Sequence, residues 1–162
     1  KPEKVLGRKL ETNMKELTGD MKKSHIKLIF RVKEVTGENA YTEFFRQELS
    51  RSYLRSQIRR RNSKVDSIFN IKTKDGYTLR ASTSAILTTR ILTSQKKAIR
   101  EIINQELTTI STNNDFAQFL DEVTSGKMSS EIYKKARKIY PLKRVEVTKI
   151  KLVDKPKSKE AA

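Results

Sequence analysis

Apolar residues alternate with polar ones along the first half of the chain and recur every three or four positions along much of the second. From His25 to Val35, Ile26, Leu28, Phe30 and Val32 alternate with Lys27, Ile29, Arg31 and Lys33. That pattern predicts a strand with one apolar and one mostly basic face. Thr36 to Asn39 is a loop of hairpin length. Ala40 to Phe45 predicts a short return strand whose aromatics, Tyr41, Phe44 and Phe45, are expected in the core. Lys64 to Thr73 alternates again, with Val65, Ser67, Phe69 and Ile71 on one side, and Asp75-Gly76 signals a hairpin. The return strand, Tyr77 to about Arg90, is rich in β-branched residues. Leu142 to Val153 predicts a last strand whose apolar face switches near Thr148, as at a bulge.

Val5 to Leu17 carries both periods. Leu6, Leu10 and Met14 repeat every four residues, yet Leu10, Thr12 and Met14 also alternate with polar neighbours. Gly7 disfavours a helix running from Val5, so a strand is expected, and Leu17 to Asp20 reads as a turn. Helical spacing is clearer further on. Ile99, Ile102, Ile103 and Ile110 form one stripe of a helix from Ser94 to Ile110, with Thr93 or Ser94 as its cap. Phe116, Phe119, Leu120 and Val123 mark a second helix, stopped by Ser125-Gly126. A third, from Ser129 to Ile139, packs Ile132, Tyr133, Ala136 and Ile139 and ends before Pro141. Strands first, helices next and one strand last predict an α+β fold with a mostly antiparallel sheet. Six or so strands can curl into a barrel-like β core with the amphipathic helices packed on it. One domain, residues 1–153, is expected, with a polar and disordered tail over 154–162.

The run from Gln47 to Arg61 changes the picture. As a helix it would gather Leu49, Tyr53, Leu54, Gln57 and Ile58 on one side and stack Arg51, Arg55 and Arg59 on the other. Like charges at that spacing destabilise an isolated helix by roughly 0.2–0.5 kcal/mol per pair. A stripe kept at that cost points to an anionic partner, and guanidinium suits phosphate. A solvated face is the alternative, with Arg59, Arg60 and Arg61 complementing the helix dipole; it leaves Arg51 and Arg55 unexplained.

Composition points the same way. The 162 residues include 36 basic and 19 acidic ones, a net charge of +17 spread along the chain. Such a balance suits a polyanion, and its even spread favours a folded surface on nucleic acid over a local membrane tag. With no cysteine and a single histidine, His25, neither disulfides nor a Cys- or His-based metal site can be built. No apolar stretch approaches the roughly 18–20 residues that span a bilayer, no signal peptide is visible, and no helix combines an apolar face with aromatic anchors. A cytoplasmic protein is expected, without a membrane partner.

Thr93 to Arg100, TSQKKAIR, is the second informative stretch. Lys96 and Lys97 fall in the first turn of a helix, where the dipole disfavours cations. A phosphate there would meet free backbone N–H groups, the Ser94 hydroxyl and the lysines together, reversing that cost. Without one, the turn is mildly unfavourable, by about 0.3–1 kcal/mol. Enzyme chemistry finds little support. The acidic residues are mostly scattered, Asp121-Glu122 sits on an amphipathic helix, and the five glycines are isolated. Neither a carboxylate cluster for Mg²⁺ nor a phosphate loop is present. His25, opening a strand, reads as a partly buried or surface side chain more than as a general base. No cofactor is expected.

Four stretches then carry a resemblance: LTGD (Leu17–Asp20), KDGYTLR (Lys74–Arg80), TSQKKAIR (Thr93–Arg100) and KIYPLKRVEV (Lys138–Val147), with ELSRSYLRSQIRRRNSKVDSIF between the first two. In this order they resemble the small-subunit ribosomal proteins of archaea and eukaryotes called the S-three-Ae, or e-S-one, family, over nearly all of Val5 to Val153. The resemblance implies a structural ribosomal protein without catalytic activity, with a β-rich, barrel-like core and packed helices. It implies a place on the platform of the small (30S) subunit, near the 3′ end of the small-subunit rRNA and the mRNA exit. Neighbouring platform proteins, and mRNA near the exit, are further partners. It also favours strand for Val5–Leu17. Lys1–Leu6 departs from the family pattern, which usually carries more sequence upstream, and the short tail fits an archaeal member. The expected rRNA-binding residues are Arg51, Arg55, Arg59, Arg60, Arg61, Arg90, Ser94, Gln95, Lys96, Lys97 and Arg100, with Lys134, Lys135, Lys143 and Arg144 beside them. The rival is a free-standing nucleic-acid-binding regulator acting outside the ribosome.

Overall fold

The computed structural model describes residues 4–156. Six strands form one sheet: β1 (Lys9–Asn13), β2 (Ile26–Thr36), β3 (Asn39–Leu49), β4 (Lys64–Lys72), β5 (Thr78–Leu87) and β6 (Leu142–Asp154). Their order is β1-β2-β3-β6-β5-β4, and every neighbouring pair is antiparallel. The α+β class therefore holds, but the sheet is open. β1 and β4 are its two edges, so the expected barrel does not close.

The sheet consists of two parts joined by a short seam. β1, β2 and β3 form one part, and β4, β5 and β6 the other. β3 and β6 meet only at Arg46↔Lys151, Gln47↔Ile150 and Glu48↔Lys149. β5 and β6, by contrast, pair from Thr78↔Asp154 to Leu87↔Leu142. Three helices, α3 (Thr93–Asn113), α4 (Phe116–Ser125) and α5 (Lys127–Ala136), cover one face of the second part. They bury Ile99, Ile103 and Leu107 from α3, Phe119 and Val123 from α4, and Met128, Ile132 and Ala136 from α5. They pack against Val65, Ile71, Leu79, Ala81, Ala85, Val145, Val147 and Ile150. α5 starts earlier and stops sooner than its pattern predicts, so Met128 joins the core and Ile139, expected there, is exposed beyond the helix end.

The apolar face of β6 does switch where expected. Ser82 faces Lys149 and Thr83 faces Val147, which leaves Thr148 as the extra residue of a bulge. Its hydroxyl donates to the Ser82 carbonyl at 2.9 Å. The bulge lets Val147 and Ile150 both reach the core although three positions separate them. At the far end, the Thr73 N–H donates to the Tyr77 carbonyl and the Gly76 N–H to the Thr73 carbonyl, closing the predicted hairpin with Gly76 at φ +83°. One glycine joins α4 to α5: Gly126, at φ +77°, ends the first and begins the second. That left-handed conformation costs a residue with a Cβ roughly 1–2 kcal/mol.

Several expectations shift. Of Val5 to Leu17, only Lys9–Asn13 is strand; Met14–Thr18 forms a short helix, α1, so each period prevails over part of the run. β3 runs on to Leu49, well past Phe45. None of its three aromatics joins the core. Tyr41 is exposed, Phe44 meets Phe116 edge-on, and Phe45 carries the Lys9 ammonium 4.3 Å from its ring. Asp154 closes β6 and Lys155 is bonded to Glu43, so these two residues of the expected tail are ordered; 157–162 lie outside the described residues.

Candidate nucleic-acid interface

The arginine run forms a much shorter helix than its pattern suggested. Gln47 to Leu49 belong to β3, where both Gln47 and Leu49 are buried, and the helix, α2, covers only Arg51–Gln57. Ladder bonds and burial of Gln47 and Leu49 outweigh local helix propensity. Ile58 is already extended, and Arg61 takes a left-handed backbone, φ 70°, as the chain turns into β4. Arg51 and Arg55 thus share a helical face and are exposed, whereas Arg59, Arg60 and Arg61 are exposed on the loop that follows. The stripe of three is a stripe of two plus a basic loop.

α2 is held at the start of β6 by its one large aromatic. The Tyr53 hydroxyl donates to Glu146 Oε1 at 3.2 Å, its ring stacks on His25 with centroids 4.1 Å apart, and the Arg144 guanidinium lies 5.7 Å from its centroid. Burial, followed by the neighbouring Glu146 charge, pushes the Tyr53 hydroxyl above its ordinary pKa, so it stays a donor. Arg144 Nε also pairs with Glu146 Oε1 at 2.5 Å. Lys143 Nζ donates to the Gln57 carbonyl at 3.0 Å, a cation at the negative end of α2. Lys143 and Arg144 therefore position α2 while remaining exposed themselves. His25 is half-buried against Tyr53.

The loop after α2 meets the end of β5, the strand that leads into α3. The Leu87 N–H at the end of β5 donates to the Ser63 carbonyl at 2.9 Å, and five residues of exposed or half-buried chain, including exposed Arg90, lead from there into α3. Thr93 and Ser94 lie inside the helix and do not cap it; the cap position is Leu92, whose side chain offers no acceptor. Instead the Leu92 N–H donates to Gln95 Oε1 at 3.1 Å, which occupies a side chain expected to meet RNA. The first turn has no acidic residue, Ser94 and Lys97 are exposed, and Lys96 is half-buried. Arg100 Nε donates to the Asp66 carbonyl of β4 at 3.1 Å.

α5 brings in further cations. Lys134 lines a cleft together with Lys143 and Arg144. Lys135 points elsewhere: its Nζ lies 2.7 Å from Glu106 of α3, an ion pair that leaves it out of the group. Three cations on the same cleft were not singled out by the sequence: Lys22, Lys23 and Arg137. Arg137 follows Lys134 by three residues, the spacing that puts two side chains on one helix face, and that signal was readable. The Thr89 and Tyr140 hydroxyls, 2.6 Å apart, tie the loop before α3 to the segment after α5. The starts of β2, β4 and β6 and the ends of β3 and β5 thus share one end of the sheet, and the cationic segments flank it.

Comparison with known proteins identifies relatives of this basic architecture. Residues 1–156 match the model of the Ribosomal S3Ae family. The small ribosomal subunit protein eS1 of Archaeoglobus fulgidus is 47% identical over 159 residues, covering 97% of this chain and 75% of that protein. The proteins of the same name from Desulfurococcus amylolyticus and Sulfurisphaera tokodaii are 44% and 45% identical, covering 94% of this chain and 71% and 79% of their own lengths. Among the described residues, no helix is long and apolar enough to cross a membrane. With the match running across nearly its whole length, this chain belongs to the Ribosomal S3Ae family, whose role is structural and ribosomal, not enzymatic.

Proposed function

We propose that this chain is a structural constituent of the small (30S) ribosomal subunit that binds small-subunit rRNA on the platform near the mRNA exit. It would sit in the cytoplasmic ribosome, beside neighbouring platform proteins and close to mRNA. One observation carries the rRNA contact. The topology collects exposed cations from segments far apart in sequence at a single end of the sheet: Arg51 and Arg55 of α2, Arg59 to Arg61 of its loop, Arg90, Lys97 and Lys134. Phosphate contacts at such a surface supply most of the affinity, and folded RNA shape supplies the register. Lys143 and Arg144 add charge and hold α2 in place. Gln95 and Arg100 shape the α3 end; Lys96, with Ser94 and the uncapped amides of that first turn, forms a cradle for one phosphate.

Replacing Arg51, Arg55 and Arg59 together with Ala tests this reading. All three are exposed, so the fold should survive. Affinity for small-subunit rRNA should fall, and the salt slope of log affinity should drop by about 0.7–0.9 for each phosphate that is no longer neutralised. An unchanged slope means the arginines are only solvated. Hydroxyl-radical footprinting of the rRNA with the wild-type protein tests the location. Protection should fall on the platform and near the rRNA 3′ end, and protection confined to another part of the subunit rejects the placement.

A further inference from the structure

The basic end of the sheet contains a cleft of about 790 Å³ that opens to solvent. Its floor is apolar: Ile26, Leu49, Val123, Val145 and Val147, all buried. Its rim is cationic: Lys22, Lys23, Lys134, Arg137, Lys143 and Arg144. The two acidic residues that line it are already engaged. Glu146 is paired with Arg144, and the Asp20 carboxylate accepts the Lys22 N–H at 3.0 Å. The six cations outnumber these two carboxylates, so the rim keeps an excess of positive charge for an anion.

The interior is not a bare apolar hole. Gln47, 4% exposed, lines it at the end of β3, and its Oε1 accepts from the Thr124 hydroxyl at 3.5 Å. Its Nε2 makes no hydrogen bond among the described residues. Tyr133 forms part of the wall, and the Arg137 guanidinium lies 6.0 Å from its ring centroid. Aromatic rings and guanidinium planes are the surfaces on which unstacked bases settle, and a free amide is a donor for a base edge. A groove that binds only a continuous phosphate backbone has no use for an apolar floor.

We infer that this cleft takes a single unpaired nucleotide turned out of a folded RNA, with its base against Tyr133 and the apolar floor and its flanking phosphates on the lysine and arginine rim. The volume falls within the range of small-molecule sites, roughly 300–1,000 Å³, so a base and its ribose fit with room for the adjoining backbone. The inference rests on the proposed RNA-binding reading and makes it more specific: most of the surface binds RNA by charge, and this one place distinguishes an extruded base from a paired one.

Three RNA hairpins of one sequence test it: one fully paired, one with a single-nucleotide bulge, and one whose bulged position is abasic. The wild-type protein should bind the bulged hairpin about tenfold more tightly than the abasic one, the effect of one stacked base. Ser129→Trp, which plugs the cleft without changing charge, should remove that preference and leave affinity for the paired hairpin unchanged. Tyr133→Leu should do the same, and Tyr133→Phe should retain the preference; these keep the test open if the Trp variant does not fold by circular dichroism. Equal binding of the bulged and abasic hairpins by wild type overturns the inference, as does a preference that survives both the plug and Tyr133→Leu. Salt-dependent binding of all three hairpins would then still support the wider RNA-binding reading. Failure to bind any of them rejects both.

Discussion

The two parts of the sheet are held together by different physics. β4, β5 and β6 lie under α3, α4 and α5, and the large apolar cluster draws all its fully buried members from these six elements and none from β1 to β3. β1, β2 and β3 bury a smaller set, Ile26, Leu28, Ile29, Val32 and Leu49, while Leu10 on the edge strand is 52% exposed. Ion pairs cross this part instead: Glu11 with Lys27 at 2.6 Å, Arg31 with Glu43 at 3.8 Å, Lys149 with Glu48 at 3.8 Å, and Lys155 with Glu43. Exposed pairs of this kind are worth about 0–1 kcal/mol each, whereas burying one large apolar side chain is worth about 1.5–3 kcal/mol. The helix-covered part should therefore act as the stable unit and the other as its more easily opened extension, joined to it by the short β3–β6 seam and a few side-chain contacts such as Phe44 on Phe116.

Removing the centre of the packed part should have the largest effect. Phe119, fully buried, should cost about 3–5 kcal/mol as Phe119→Ala, and Leu10→Ala on β1 should stay within about 0.5 kcal/mol. Equilibrium urea unfolding of the two variants checks both, and equal losses would refute the contrast. A smaller effect of opposite sign is expected where the packed part carries charge against its own helix. Lys96→Glu with Lys97→Glu should stabilise the RNA-free protein by about 0.3–1 kcal/mol per residue, because the first turn of α3 then complements the dipole. The same variant should lose its phosphate and assemble poorly into subunits. Thermal melts and subunit incorporation would separate the two effects, and wild-type incorporation would show the lysines to be surface charges only.

Arg61 offers a third, still smaller test. Its left-handed backbone costs roughly 1–2 kcal/mol relative to a residue in the right-handed region, and glycine avoids this while losing about 0.5–1 kcal/mol of its own to unfolded-state entropy. Arg61→Gly should therefore raise stability by about 0.5–1 kcal/mol and lower RNA affinity. A variant that is both less stable and equally tight in binding would contradict the assignment of Arg61 to the interface.

The last prediction concerns acid. The hydrogen bond from Lys27 holds Glu11 below its ordinary value of 4.5, and that from Lys155 does the same for Glu43. A carboxylate depressed in the folded state contributes stability above its unfolded value and loses it as pH falls through the folded one. Lys27, raised above its ordinary 10.5, stays charged throughout this range. Lowering the pH from about 6 to about 3 should therefore reduce amide protection, taken relative to the intrinsic exchange rate at each pH, in β1 to β3 while β4 to β6 remain protected. A uniform loss across both parts would show the sheet to be one cooperative unit.

Much of the fold was legible because the stretches concerned each bury one side against a single neighbour. The alternation of β4 and the stripes of α3 and α4 fall where the pattern put them, and even the bulge at Thr148 showed as a change of phase. Elsewhere local pattern and long-range contact disagree. Gln47 to Leu49 suit a helix on a wheel, but pairing with β2 and β6 satisfies their backbone and buries Gln47 and Leu49, so they finish a strand. The aromatics of β3 look like core, yet the register shifts between Arg46 opposite Ile29 and Phe44 opposite Phe30. Phe45 is left as the extra residue there, and its ring lies under the Lys9 and Lys151 ammonium groups.

The candidate interface divides along the same line. Charge of one sign, dispersed along the chain and richest at Arg51 to Arg61, is a property of composition, and it pointed to a polyanion before any contact was known. Which cations act together is not local information. Lys135 and Lys134 are neighbours in sequence, but one is spent on Glu106 and the other lines a cleft with Lys22, Arg137 and Lys143. Sheet topology made that choice, because only strand pairing brings the starts of β2 and β6 and the end of β3 to one place, and a side chain's partners depend on what arrives beside it in space.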